Sequence, residues 1–291
     1  MFDTLLVPTD GGDGATAAVD HALELAATHD ATVHLLNVAD TARDSVTPVR
    51  GRVVDVLERE GARIVRDATE RATGRGVPIV TDVLQGDPYR TIVEYADTYG
   101  VDLVVMATRG RQGLDEFLLG STTERVLRRS GVPVLTVRPD DERTRYPYRR
   151  VLVPTDGSAP AGAALSLGAD VATTSGATLH LLSAVETTVP DIDVRADVRL
   201  SALEESATAI LDDAETAATD AGVTDVSTEV AFGASIAGVT RDHVEDRGID
   251  LVVVGTYGRS GLDRCVLGSV TERLVRTSSV PVLTVGHPDD E

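Results

Sequence analysis

Lysine is absent from this chain, and all 27 of its basic residues other than histidine are arginine. That absence excludes whole reaction classes. A P-loop needs the lysine that reaches the outer phosphates, and a protein kinase needs the lysine of its third strand, so neither can be built here. Schiff-base catalysis, which begins at a lysine amine, goes with them. Cysteine is almost missing too. Cys265 stands alone, which rules out an internal disulfide, and it reads as a small filler residue. No apolar run approaches the ~20 residues of a membrane-spanning helix, and the Met1 end carries no signal-peptide pattern. The expectation is a soluble, cytoplasmic protein.

Positive charge is in deficit. Against those 27 arginines stand 47 Asp and Glu, for a net charge of −20. Such a field argues against nucleic acid and anionic membranes as partners. An acidic, lysine-free chain rich in Thr, Val and Ala fits a salt-rich, halophilic cytoplasm, where salt screens the self-repulsion.

What is present is a duplication. At 291 residues the length suggests two domains, and 42% hydrophobic residues are ample for two cores. Leu5-Leu-Val-Pro-Thr-Asp-Gly11 returns as Val151-Leu-Val-Pro-Thr-Asp-Gly157, and Ala31-Thr-Val-His-Leu-Leu36 as Ala177-Thr-Leu-His-Leu-Leu182, both 146 residues on. Asp102-Leu-Val-Val-Met106 returns as Asp250-Leu-Val-Val-Val254, Leu119-Gly-Ser121 as Leu267-Gly-Ser269, and Val132-Pro-Val-Leu-Thr-Val137 as Val280-Pro-Val-Leu-Thr-Val285, all at 148. Order is retained and the offset drifts by two residues, so one domain has been repeated. The domains are expected at 1–139 and 149–291, with a linker at 140–148 inside the charged, proline-bearing segment Arg138–Arg150.

Within each copy strands and helices alternate. In the first, strands are expected at Thr4–Pro8, Thr32–Val38, Pro78–Leu84, Val101–Ala107 and Pro133–Arg138. Helices are expected at Ala15–Thr28, Val49–Thr73, Tyr89–Tyr99 and Ser121–Arg129. That alternation implies an α/β fold with a doubly wound parallel sheet and right-handed crossovers. Ligands of such sheets sit outside the carboxyl ends of the strands, where strand order reverses, so Asp10 and Asp156 flank the crevice. Their carboxylates could accept hydrogen bonds from ribose hydroxyls or an adenine amino group, or could cap the following helix.

The most informative stretch is Asp250–Val270. Leu251–Val254 reads as a buried strand, Gly255 ends it, Gly258 permits an unusual turn, and Gly268-Ser269 opens the segment Val270–Thr277. A helix start offers free N–H groups and a positive dipole end, so the stretch reads as a phosphate cradle made from main chain.

The spacing Gly-x2-Gly-x9-Gly-Ser resembles the nucleotide-binding signature of the ATP-binding branch of the universal stress protein family, and the likeness extends over both copies. The resemblance implies tandem Rossmann-like (HUP-type) domains of strand order 3-2-1-4-5, paired through their last strands into an intrachain pseudo-dimer, with further homodimerisation conceivable. It implies ATP as ligand, with Mg²⁺ held by phosphate oxygens and water rather than by protein side chains. The implied site of the second copy is Pro154, Thr155, Asp156, Ala184, Gly255, Gly258, Arg259, Gly268, Ser269 and Val270. In the first copy the corresponding residues are Pro8, Thr9, Asp10, Val38, Gly110, Arg111, Gly120, Ser121 and Thr122, but Ala107 replaces the first glycine. A methyl group there could crowd the phosphates or shift the site, so the second site is expected to bind more tightly and the occupancy of the first stays open.

Two other readings exist. Gly12-Asp-Gly14-Ala-Thr-Ala17 fits a dinucleotide fingerprint with Asp40 as ribose acid, which would make an NAD-dependent enzyme. Asp10 and Asp13 would then place negative charge against a pyrophosphate, and the second copy lacks the pattern. The same fold could also serve as a nucleotide-free scaffold. No catalytic constellation stands out. His34 and His180 are expected as satisfied core residues, and the other four histidines lack metal-ligand spacing. The expected role is a nucleotide-responsive stress regulator rather than an enzyme, with slow ATP hydrolysis or autophosphorylation left open as incidental activities.

Overall fold

A computed structural model of the chain describes residues 1–40, 52–109, 119–138, 146–187, 194–256 and 267–286. It divides into two compact units, Met1–Tyr146 and Pro147–Glu291. The first runs β1 (Thr4–Pro8), α1 (Asp13–His29), β2 (Thr32–Asp40), α2 (Arg52–Arg71), β3 (Ile79–Gly86), α3 (Pro88–Thr98), β4 (Leu103–Ala107), α4 (Ser121–Arg129) and β5 (Val134–Val137). The second repeats it with β6 (Arg150–Pro154), α5 (Ala159–Ser175), β7 (Thr178–Glu186), α6 (Val194–Asp220), β8 (Val226–Gly233), α7 (Ile236–Arg247), β9 (Leu251–Gly255), α8 (Ser269–Thr277) and β10 (Val282–Val285).

Strand order in the first unit is β3-β2-β1-β4-β5, and in the second β8-β7-β6-β9-β10. Every pairing within a unit is parallel. The expected α/β fold and its 3-2-1-4-5 order are therefore both present. Some boundaries move: α1 starts at Asp13 rather than Ala15, and β3 runs on to Gly86.

The central strands carry the core. Leu5, Leu6 and Val7 of β1 and Leu251, Val252 and Val253 of β9 are almost wholly inaccessible. Strands covered on both faces need no polar alternation, which explains their continuous aliphatic runs. The helices that cover them present small residues. Ala18, Ala22 and Ala26 of α1, and Ala164, Ala169 and Ala172 of α5, are buried against the sheet. The fit is tight at Gly168, where an added Cβ would lie 2.5 Å from Cγ2 of Val153.

A carboxylate fixes the strand starts. Asp102 Oδ2 accepts from the N–H groups of Asp3 and Thr4, both at 2.9 Å. Asp250 Oδ2 accepts from Arg149 at 2.8 Å and Arg150 at 2.9 Å. One side chain before the fourth strand thus ties down the entry of the first, in both units.

The histidines correct part of the sequence reading. His34 is only half-buried; its Nδ1 shares a hydrogen bond with the Tyr95 hydroxyl at 2.9 Å, which in turn donates to Asp82 Oδ2 at 2.5 Å. His180 is buried and meets the ring of His243 edge-on, with centroids 5.8 Å apart. The deepest histidine among the described residues is His21 on α1, only 1% exposed. Burial pushes its pKa down from the usual 6.5 to about 4.

The folded state therefore binds the His21 proton more weakly than the unfolded chain does. Its contribution is fully present above about pH 6.5 and is lost as pH falls toward 4, a span worth about 3 kcal/mol. We expect His21→Leu, which copies Leu167 of the second unit, to flatten the acid limb of a urea-unfolding stability profile between those pH values. An unchanged slope would show that His21 does not carry it.

Candidate functional site

In each unit the ends of the first and fourth strands open onto the same edge. Beyond β1, Thr9 N–H still donates to Leu36 O at 2.8 Å, so the chain leaves the sheet only after Thr9. Gly11 then takes a left-handed φ of +75°, and Asp10 Oδ1 accepts from Gly12 N–H at 2.9 Å. The second unit repeats the turn. Thr155 N–H donates to Leu182 O at 2.9 Å, Gly157 has φ +73°, and Asp156 Oδ1 accepts from Ser158 N–H at 3.0 Å. Each aspartate closes a tight turn before its helix, with Gly12 and Ser158 at the cap positions. The capping alternative is thus corrected to turn formation, with one carboxylate oxygen engaged in it.

Across the crevice the fourth strand ends in a second turn. Thr108 N–H donates to Val137 O at 3.0 Å, and Gly120 N–H returns to Thr108 O at 2.8 Å. In the second unit Thr256 donates to Val285 O at 3.0 Å, and Gly268 N–H to Thr256 O at 2.7 Å. Thr123 Oγ1 donates to Ala107 O at 2.8 Å and Thr271 Oγ1 to Gly255 O at 2.7 Å, pinning the helix to the strand. The N–H groups of Gly120 and Gly268 are therefore spent within the protein. What remains is the first turn of each helix, from Ser121 and Thr122 and from Ser269 and Val270. Both helices open on a glycine that supplies no side-chain cap, so among the described residues those N–H groups and the dipole end are left for a ligand to meet.

Val38 and Ala184 sit half-buried on β2 and β7, paired with Leu84 and Ala231. Pro8 and Pro154 end their strands as expected. Gly110, Arg111, Gly258 and Arg259 lie outside the described residues, as does Cys265.

The contact that joins the two sides of the crevice was not foreseen. At Gly14, the second residue of α1, an added Cβ would lie 2.7 Å from Arg109 O and 3.0 Å from the Ala107 Cβ. At Gly255, the counterpart of Ala107, an added Cβ would lie 2.7 Å from Pro160 O and 2.8 Å from Pro160 Cβ. Pro160 is the counterpart of Gly14, 146 residues on. Bulk sits on the strand in one copy and on the helix in the other. The Ala107 methyl faces α1, so the steric reason for a weaker first site falls away. Aligning the repeats at both offsets would have exposed the exchange, because both positions change together.

The family profile described as "Universal stress protein family" matches residues 1–138 and again 147–286. The chain belongs to that family. Universal stress protein MJ0531 of Methanocaldococcus jannaschii is 36% identical over 141 residues, covering 47% of this chain and 83% of the relative. Universal stress protein Rv2005c of Mycobacterium tuberculosis is 30% identical over 280 residues, covering 86% of this chain and 85% of the relative. The crystal structure of a universal stress protein from Archaeoglobus fulgidus covers 99% of this chain and 98% of its own, with a TM-score of 0.74 at 23% identity. That likeness establishes the tandem fold. Among the described residues no helix is long and apolar enough to cross a membrane, and no group of His, Cys, Asp and Glu could hold a metal ion.

The helix–strand exchange makes a test available to urea unfolding. Gly255→Ala should cost the second unit about 1–3 kcal/mol by overpacking against Pro160. Combined with Pro160→Gly, the cost should fall short of the sum of the single changes by at least about 0.5 kcal/mol. Strict additivity would mean the two positions do not compensate.

Proposed function

We propose that each unit binds an adenine nucleotide, ATP by family resemblance, across the edge where its first and fourth strands end. In the second unit Pro154, Thr155, Asp156 and Ala184 line the base and ribose side, and Ser269 and Val270 with Gly255, Gly258, Arg259 and Gly268 form the phosphate side. Pro8, Thr9, Asp10, Val38, Gly110, Arg111, Gly120, Ser121 and Thr122 take these roles in the first. The observation that supports this reading is the uncapped helix start behind a hydrogen-bonded turn, opposite an aspartate turn, repeated in both units. Peptide N–H groups at a helix N-terminus favour phosphate without needing lysine, which this chain lacks. Mg²⁺ would ride on the phosphates.

The nucleotide serves as a regulatory ligand in a stress response, not as fuel. The unit with Ala107 binds as well as the unit with Gly255, since the methyl is accommodated by Gly14. A nucleotide-free scaffold of the same fold is the alternative.

Native mass spectrometry with ATP titration in high salt should find two nucleotides per chain. Gly268→Val should remove one of them while the circular dichroism spectrum is kept. No uptake at millimolar ATP would favour the scaffold, and a single bound nucleotide that becomes two with Ala107→Gly would reverse the equivalence of the units.

A further inference from the structure

We propose that the outer face where α3 meets α4 in the first unit docks a short acidic segment of a partner protein, its carboxylates received by Arg90, Arg125 and Arg129. The three guanidinium carbons lie 5.8, 5.1 and 5.5 Å from the centroid of one ring, that of Tyr89. Tyr89 is 9% exposed, whereas all three arginine residues are exposed. Arg90 Nε also donates to the Tyr89 hydroxyl at 2.9 Å. That hydrogen bond is the main cause raising the Arg90 pKa, with the Asp87 and Glu94 charges adding to it.

Among the described residues none of the three forms an ion pair, although acidic residues outnumber basic ones in this chain by 47 to 27. Their neighbour Arg128 shows the contrast, since it pairs with Glu124 at 2.7 Å. Three cations gathered on one aromatic ring, with Asp87 and Glu94 near Arg90 but no carboxylate at ion-pair distance from any of the three, form an open anion-binding surface. The ring holds them in place, so a ligand meets guanidiniums whose freedom is already reduced. Their planar forks suit carboxylates two oxygens at a time.

The overall charge sets the size of the ligand. A nucleic acid runs for tens of ångströms and would leave this patch to meet the field of a −20 chain. A short acidic segment can stay within the patch, with the remaining charge screened beyond about 8 Å at physiological salt. The second unit provides an internal contrast. There the positions of Tyr89, Arg90 and Arg129 hold Ala237, Gly238 and Thr277, and only Arg125 keeps its counterpart, Arg273. Core and crevice are common to both units, whereas this surface is confined to one.

Fluorescence anisotropy of a labelled ten-residue glutamate peptide, on the full chain at about 0.15 M salt, tests the assignment. Saturable binding is expected, weakened about tenfold by the combined R90Q, R125Q and R129Q changes and further by added salt. Arg273→Gln should leave it unchanged, and thermal melts should confirm that all variants fold. Absent binding at millimolar peptide, or binding indifferent to the triple change, would overturn the proposal. Tighter binding of a single-stranded DNA of equal length through the same arginines would replace it with a nucleic-acid surface.

Discussion

Where the first helix of each unit begins, it touches the end of the fourth strand so closely that one of the two positions has no room for a side chain. The limit is contact distance: at both glycines a Cβ would come within 2.7 Å of a backbone oxygen. Everything at the crevice is arranged around it. The aspartate turn must deliver the helix to that point, and the threonine hydroxyl behind the fourth strand must hold the next helix beside it. Duplicated chains can satisfy one steric limit in two ways, and this one does both.

A second exchange lies deeper. Asn37 donates through Nδ2 to Thr9 O at 2.8 Å, and its Oδ1 occupies the space that a Cβ on Gly61 would need. The matching positions in the second unit are Ser183 and Ala207, a smaller polar residue with a larger helix residue. Paired changes across one contact conserve volume while composition drifts, which is how tightly packed interiors tolerate substitution.

Much of the fold was legible because its signals are periodic and local. The aliphatic runs at Leu5–Val7 and Leu251–Val254 could only be strands covered on both faces, and two copies of every cue removed most ambiguity. Helix α4 was bounded to the residue because Gly120 and Ser130 flank a short amphipathic stretch. The crevice was legible as a place but less so as a structure. The pattern points to glycine as the phosphate contact, yet Gly268 spends its N–H on Thr256 and Gly255 yields space to Pro160. Spacing along a chain says which residues are near a site; it does not say which atom faces the ligand and which faces the protein. Asp102 and Asp250 were visible only as repeat landmarks, since nothing in their local sequence signals a partner 98 to 101 residues away.

The hydrogen bond from Gly120 to Thr108, and from Gly268 to Thr256, has a consequence for how this architecture can vary. It fastens the start of the helix directly to the residue that follows the fourth strand, so the helix start is held by its own root. The stretch between those two points can then be lengthened, shortened or exchanged at little thermodynamic cost, because the closure entropy of a loop grows only slowly with its length. A fold with such a clasp offers a natural point of insertion, where new recognition sequences can be grafted without disturbing the sheet behind them.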